Sequence, residues 1–414
     1  MGIKVLHIHS EVKPGGGPHG YLYNLRKAIE LNQGTSDVDI EILEIPPPST
    51  PSAVSPAKSP TLVQRVVRRI KAKIEDKRES AGRYATQILD NYKTRFDWIE
   101  KSHAEKWFNH DVLVVHDPFL ARKLVALCPE RSKAKLVVIT HSPTWFVWQT
   151  LGNDFPDMNQ EWLYEGKVAK NLVQKELDTL MGVRAVGLPC KEAMQGYPLW
   201  HAKLLKGEAN AAFVETGVPL PIANNTPQSM RESWGISSDQ KIALFIGRPH
   251  PHKGFDQFVE WADYFKSQGR TDWVFVQAGS PSNSKRDLSS VNAVGWITDN
   301  ASAYLAADLV LIPNTYSYFD IGTLEGIALG ARIAISPTGG HGYLTRKFKE
   351  IPEIPSGKPE VTWPVLESIA LEYASDDAKS RRLQDIWKNN FTPAHFYHNH
   401  VSMIKEILDE RNHK

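Results

Sequence analysis

Residues 308–342 read DLVLIPNTYSYFDIGTLEGIALGARIAISPTGGHG, and few architectures can hold such a segment. An apolar run at 309–312 closes on Pro313, the pattern of a buried strand ending in a loop. The loop carries Gly322, residues 323–329 read as a short helix, and Gly330 stops it. A second apolar run at 332–335 ends at Pro337 and the pair Gly339-Gly340. Two strands joined by a short helix make a parallel βαβ unit, and such sheets bind ligands at the carboxyl ends of their strands. Glu325 falls one turn into the helix, where a carboxylate can accept hydrogen bonds from vicinal hydroxyls. The backbone N–H groups of the helix start and of Gly339-Gly340 can face an anion.

The same grammar repeats along the chain. Strands are expected at 3–8, 39–45, 111–115, 135–139, 183–188 and 211–214, then at 241–246 and 273–278, with 294–296 following. A proline- and asparagine-rich stretch at 219–227 separates the two sets. With 414 residues the chain can build two cores. The expected division is residues 1–220, 228–385, and a terminal helix over 386–414 that returns to the first domain. The fold class is α/β, with two parallel sheets facing a cleft.

Several strand ends carry candidate ligands. Gly247-Arg248 and Lys253-Gly254 put two cations beyond 241–246, where fixed positive charge can meet an anion. His116 follows the strand at 111–115, and His141 the strand at 135–139; either can be a ligand contact or a structural histidine. Trp145, Phe146 and Trp148 can stack on sugar faces or fill a core. His395, His398 and His400 invite a metal, but helical spacing brings only the first two to one face and no carboxylate pattern accompanies them. No Asp-x-Asp motif for a nucleotide-bound metal is identified, so no metal or cofactor is expected.

Gly15, Gly17 and Gly20 satisfy GxGxxG, and Asp39 or Glu41 lies near the offset of a ribose-binding acid. A nicotinamide-binding domain is the reading this suggests. Against it, six residues separate the strand from the first glycine, and Pro18 stands where backbone donors are wanted. No Gly-Lys-Ser/Thr follows, so the loop is not a P-loop, and no GxSxG elbow supports a serine hydrolase.

Charge and composition narrow the partners. A net charge of +2 argues against a dedicated nucleic-acid binder. Cys128 and Cys190 are too few for a disulfide framework, so a reducing, cytoplasmic setting is expected. No apolar run reaches membrane-spanning length. Residues 58–108 read as a long helical insert. Within it, residues 58–78 hold eight Lys/Arg and two Asp/Glu around an apolar stripe, which suits either an anionic membrane surface or packing on its own domain.

These motifs together resemble the GT-B glycosyltransferases, and within them the retaining family 4. Leu324-Glu325-Gly326 with Gly330, and Gly247-Arg248 with Lys253-Gly254, carry the resemblance most specifically. Gly15-Gly16-Gly17 and Glu215-Thr216-Gly217-Val218 carry it more loosely. The resemblance implies sugar transfer from a nucleoside-diphosphate sugar, most commonly of uridine, to a hydroxyl on a glycan, glycolipid or other glycoconjugate, with retention. It implies that Arg248 and Lys253 hold the diphosphate, Glu325 the ribose, and Trp296 and Ile297 the base. Gly339 and Gly340 would offer backbone donors, Gly16 and Gly17 would face the cleft, and His141 would lie near the sugar. The family's first glutamate falls on Ser317 and its glycine on Asp320, so either Asp320 replaces that carboxylate or the sugar is read differently, with Ser317 the other candidate. A non-catalytic GT-B binding subunit is the alternative, and a nicotinamide-dependent oxidoreductase the third.

Overall fold

The apolar runs fold as the strands of two all-parallel sheets. The computed structural model describes residues 2–45, 86, 94–146, 148–149, 167–279 and 287–409. Most of the expected insert, including 58–78, lies outside them. The first sheet contains β1 (Ile3–His9), β2 (Val38–Glu44), β3 (Val112–Val115), β4 (Leu136–Ile139), β5 (Ala185–Leu188) and β6 (Ala211–Phe213), in the order β2-β1-β3-β4-β5-β6. The second contains β7 (Lys241–Ile246), β8 (Trp273–Ala278), β9 (Asn292–Gly295), β10 (Leu309–Ile312) and β11 (Ile333–Ile335), in the order β11-β10-β7-β8-β9. Every residue of β3, β4 and β5 is buried, which is why these strands are unbroken apolar runs with helices on both faces.

Strand order reverses between β1 and β3 in one sheet and between β7 and β10 in the other. Crevices at such reversals are the ligand sites of open α/β sheets. The helix α1 (Gly17–Leu31) leaves β1 with Pro18 in its first turn, where a missing N–H costs nothing. It starts four residues before the apolar pattern from Tyr21 suggests. Helix α2 (Ile321–Leu329) joins β10 to β11 and ends at Gly330 in the left-handed conformation. Gly339 and Gly340, expected in a loop, are instead the first residues of α3 (Gly339–Lys347).

The last helix, α4 (Pro393–Asp409), belongs to the core of the first domain. Its Phe396, Val401, Ile404 and Ile407 pack with Val5, Leu22, Leu25 and Val38. Arg184 donates to the Ile407 carbonyl at 3.0 Å, and Lys405 pairs with Asp37 at 2.7 Å. The crossing itself is pinned where Val218 N–H donates to the Phe391 carbonyl at 2.8 Å and Trp387 Nε1 to the Val218 carbonyl at 3.0 Å.

Candidate active site

The turn after β7 is held against the end of β10. Gly254 has φ +69, and a Cβ there would lie 1.8 Å from the Pro313 carbonyl oxygen, so only glycine fits. Thr315 N–H donates to the His252 carbonyl at 3.0 Å. This places Lys253 Nζ 2.5 Å from Asp320 Oδ1 at the start of α2. The other oxygen of Asp320 accepts from Asn314 Nδ2, lies 3.4 Å from Ser317 Oγ and 3.2 Å from His341 Nε2. Burial pushes the Asp320 carboxyl up, but Lys253 and His341 outweigh it and hold it well below the usual carboxylate range.

Glu325 is the opposite case. It has no hydrogen bond or ion pair among the described residues, and burial alone raises its carboxyl to about 7. A lone carboxyl in a half-buried position is poised to accept hydroxyl donors that a ligand would bring. Arg248 is exposed and has no partner among the described residues. Trp296, just beyond β9, is 73% exposed, while Ile297 is half-buried against the core. All four stand beyond or near strand ends on the ligand side of the second sheet.

Ser317, Gly339 and Gly340 form a backbone joint. A Cβ on Gly339 would lie 2.0 Å from the Ser317 carbonyl oxygen, and one on Gly340 2.0 Å from that of Tyr318. The N–H of Gly340 donates to the Ser317 carbonyl at 3.0 Å. The expectation that Gly340 offers this donor to an anion is therefore corrected: the N–H is engaged in tying α3 to the Ser317 loop. The Ser317 side chain is buried beside Asp320.

On the first domain, Gly16 and Gly17 are exposed at the start of α1, with nothing within 4 Å of where a Cβ would be. Gly20 lies inside α1, where a Cβ would meet the Gly15 carbonyl at 1.6 Å and Ile321 Cδ1 of the second domain at 3.4 Å. The last glycine of GxGxxG thus folds the loop onto its helix. His141, two residues beyond β4, has φ +52 and is the one non-glycine residue with positive φ among the described residues. Such a conformation is sustained only where the surroundings impose it. Its Nε2 is 2.6 Å from His116 Nδ1, and His116 Nε2 is 2.9 Å from His7 Nδ1. The His141 ring stands 6.3 Å from Tyr318, whose hydroxyl donates to the Gly187 carbonyl of β5 at 3.1 Å. Tyr318 therefore links the two domains beside His141.

His7, Tyr21, Asn314, Tyr318 and His341 are not candidates by sequence, and His400 is one only for a metal. Asn314, Tyr318 and His341 lie within the organising segment, but nothing in the spacing shows that residues 314 and 341 meet at Asp320. Tyr21 and His400 meet at 2.9 Å across 379 positions, a pairing no local pattern reveals. His400 is buried with Tyr21, while His398 Nδ1 bonds the Ala394 carbonyl at 2.7 Å. Among the described residues no cluster of three His, Cys, Asp or Glu side chains is arranged to hold a metal ion. Asp37 and Asp39 do make an Asp-x-Asp spacing, which the sequence reading overlooked. They lie at the amino end of β2, away from the ligand edge, with Asp37 paired to Lys405.

Residues 240–351 match the family model described as glycosyl transferases group 1. An uncharacterised glycosyltransferase of Methanocaldococcus jannaschii is 27% identical over 121 residues, which are 27% of this chain and 31% of that protein. The chain thus spans about a third of that relative's length. Among solved structures, a sucrose-phosphate synthase from Thermosynechococcus elongatus superposes with a TM-score of 0.59 at 12% identity, covering 99% of this chain and 100% of the other. Anabaena HepE in complex with UDP and glucose gives 0.58 at 11% identity, covering 98% and 100%. These likenesses show a shared two-domain fold.

Proposed function

We propose, from the premise that this chain has the GT-B fold and carries a glycosyl transferases group 1 domain at 240–351, that it transfers a hexosyl group from a UDP-sugar to a hydroxyl acceptor on a glycan, glycolipid or related conjugate. The observation that carries this reading is Glu325, an unpartnered carboxyl raised to about 7 by burial, standing one turn into the helix after β10. A ribose diol supplies the two donors such a group lacks. Trp296 and Ile297 take the base, and Arg248 with Lys253 take the diphosphate.

In the reaction the bond between the sugar's anomeric carbon and the diphosphate oxygen breaks, and the diphosphate keeps the electron pair. Arg248 and Lys253 stabilise that growing charge. The acceptor oxygen bonds the anomeric carbon on the face the diphosphate leaves and passes its proton to the departing diphosphate oxygen, so configuration is retained. Asp320 and His141 flank the sugar from the second and first domains, and Gly16 and Gly17 let the α1 start approach it. The two fixed cations take the part a metal would play at the diphosphate.

Thermal shift with a panel of nucleotides tests the binding half, because a ligand of the native state raises the melting temperature. UDP should give the largest shift. Diphosphate release from UDP-sugars should then proceed with or without chelator. Binding without turnover on any donor would make the chain a binding subunit instead. Loss of turnover in chelator, restored by manganese, would overturn metal independence.

A further inference from the structure

We propose that His116 and His7 are positioning residues that set the tautomer of His141, leaving a proton on its Nδ1. The proposal rests on the reading above only in placing the donor sugar beside His141. His7 Nδ1 meets His116 Nε2 at 2.9 Å, and His116 Nδ1 meets His141 Nε2 at 2.6 Å. Three neutral imidazoles carry three N–H protons, and the two bonds use two of them. The third proton must rest at one end of the chain, on His7 Nε2 or on His141 Nδ1.

Burial holds His7 down at about 3 and, with the neighbouring histidines, keeps His116 and His141 well below the usual imidazole range, so all three stay neutral. The His7 ring is fully buried, and its Nε2 has no partner among the described residues. A proton there would be an orphaned N–H, the rarer and costlier kind of unpaired buried group. His141 Nδ1 is the atom of that ring left for the interdomain cleft, where water or a sugar oxygen can accept from it. The bonds therefore run from His7 Nδ1–H to His116 Nε2, and from His116 Nδ1–H to His141 Nε2. His141 faces the cleft as a hydrogen-bond donor and not as a base, which selects a sugar oxygen as its partner.

Imidazole 15N NMR of the full chain reads this directly, with the His141 signals identified by their loss in His141→Gln. The expected spectrum has His141 protonated on Nδ1. In His116→Phe both tautomers should appear, and turnover on a UDP-sugar should fall roughly 10–100-fold, as when a histidine ligand loses its outer partner, with the UDP thermal shift kept. His116→Asn, whose amide can still donate to His141 Nε2, should recover the Nδ1-protonated signal and turnover. A wild-type His141 protonated on Nε2, or a folded His116→Phe with an unchanged tautomer, would overturn the relay. If His116→Phe does not fold, the wild-type spectrum decides. A chain inactive on every donor but protonated at His141 Nδ1 would refute the proposed function and leave the relay standing.

Discussion

At the residue scale, Glu325 and Asp320 are carboxyls five residues apart and opposite in state. Glu325 is raised to about 7 with no partner, whereas Asp320 is held low by Lys253 and His341. A ribose diol binds the ionised form of Glu325, so UDP-sugar affinity should climb as pH rises towards about 7 and level off above it. A UDP-sugar suits this titration because its esterified phosphates do not change charge in that range. Glu325→Gln should abolish the pH dependence and weaken binding by about 1.5–3 kcal/mol, read by calorimetry. Without ligand the sign reverses: the native state holds the proton more tightly, so this group's contribution to stability falls between about 4.5 and 7. For Asp320→Asn, UDP should bind more tightly because Lys253 loses its carboxylate, while sugar transfer should fall steeply; a parallel change in both would sink the assignment. The place of Glu325 on a short helix was legible from Leu-Glu-Gly before a glycine stop. The partners of Asp320 were not, because Asn314, His341 and Lys253 converge from three separate segments of the chain.

At the element scale, the strands were legible because a parallel strand buried on both faces leaves an unbroken apolar run, as in β3, β4 and β5. Helix starts were less so. Nothing in Gly339-Gly340 distinguishes a turn from the first residues of α3, since the deciding contacts are with the Ser317 and Tyr318 carbonyls. That geometry gives a contrast between two glycines. Gly340→Ala would drive a methyl to 2.0 Å from a backbone oxygen and should cost about 1–3 kcal/mol in chemical denaturation. Gly16→Ala meets open space and an ordinary φ of −94°, so stability should stay within about 0.5 kcal/mol of wild type. If the α1 start closes on the donor, as proposed, Gly16→Ala should still lower turnover. Unchanged turnover would remove this loop from the site.

At the scale of the whole molecule, the two sheets meet through Tyr318 at Gly187 and through α3, whose Lys347 pairs with Glu215 at 3.0 Å. No helix among the described residues is long and apolar enough to cross a membrane. Residues 58–78, which lie outside the described residues, are the sequence's candidate for contact with an anionic bilayer. A variant neutralised there should keep its UDP thermal shift yet sediment less with anionic liposomes at low salt; equal sedimentation would dismiss the membrane role. The packing of α4 on β1 and α1 carries a consequence for how the chain is made. The ribosome delivers residues 2–213 of the first sheet long before 393–409, at about 5–20 residues per second. During that interval Leu22, Leu25 and Val38 lack their cover and Tyr21 lacks His400. The amino-terminal half thus waits, unfinished, for residues 393–409, and a nascent chain stalled before residue 393 should be a client for chaperones even though both its sheets have already been synthesised.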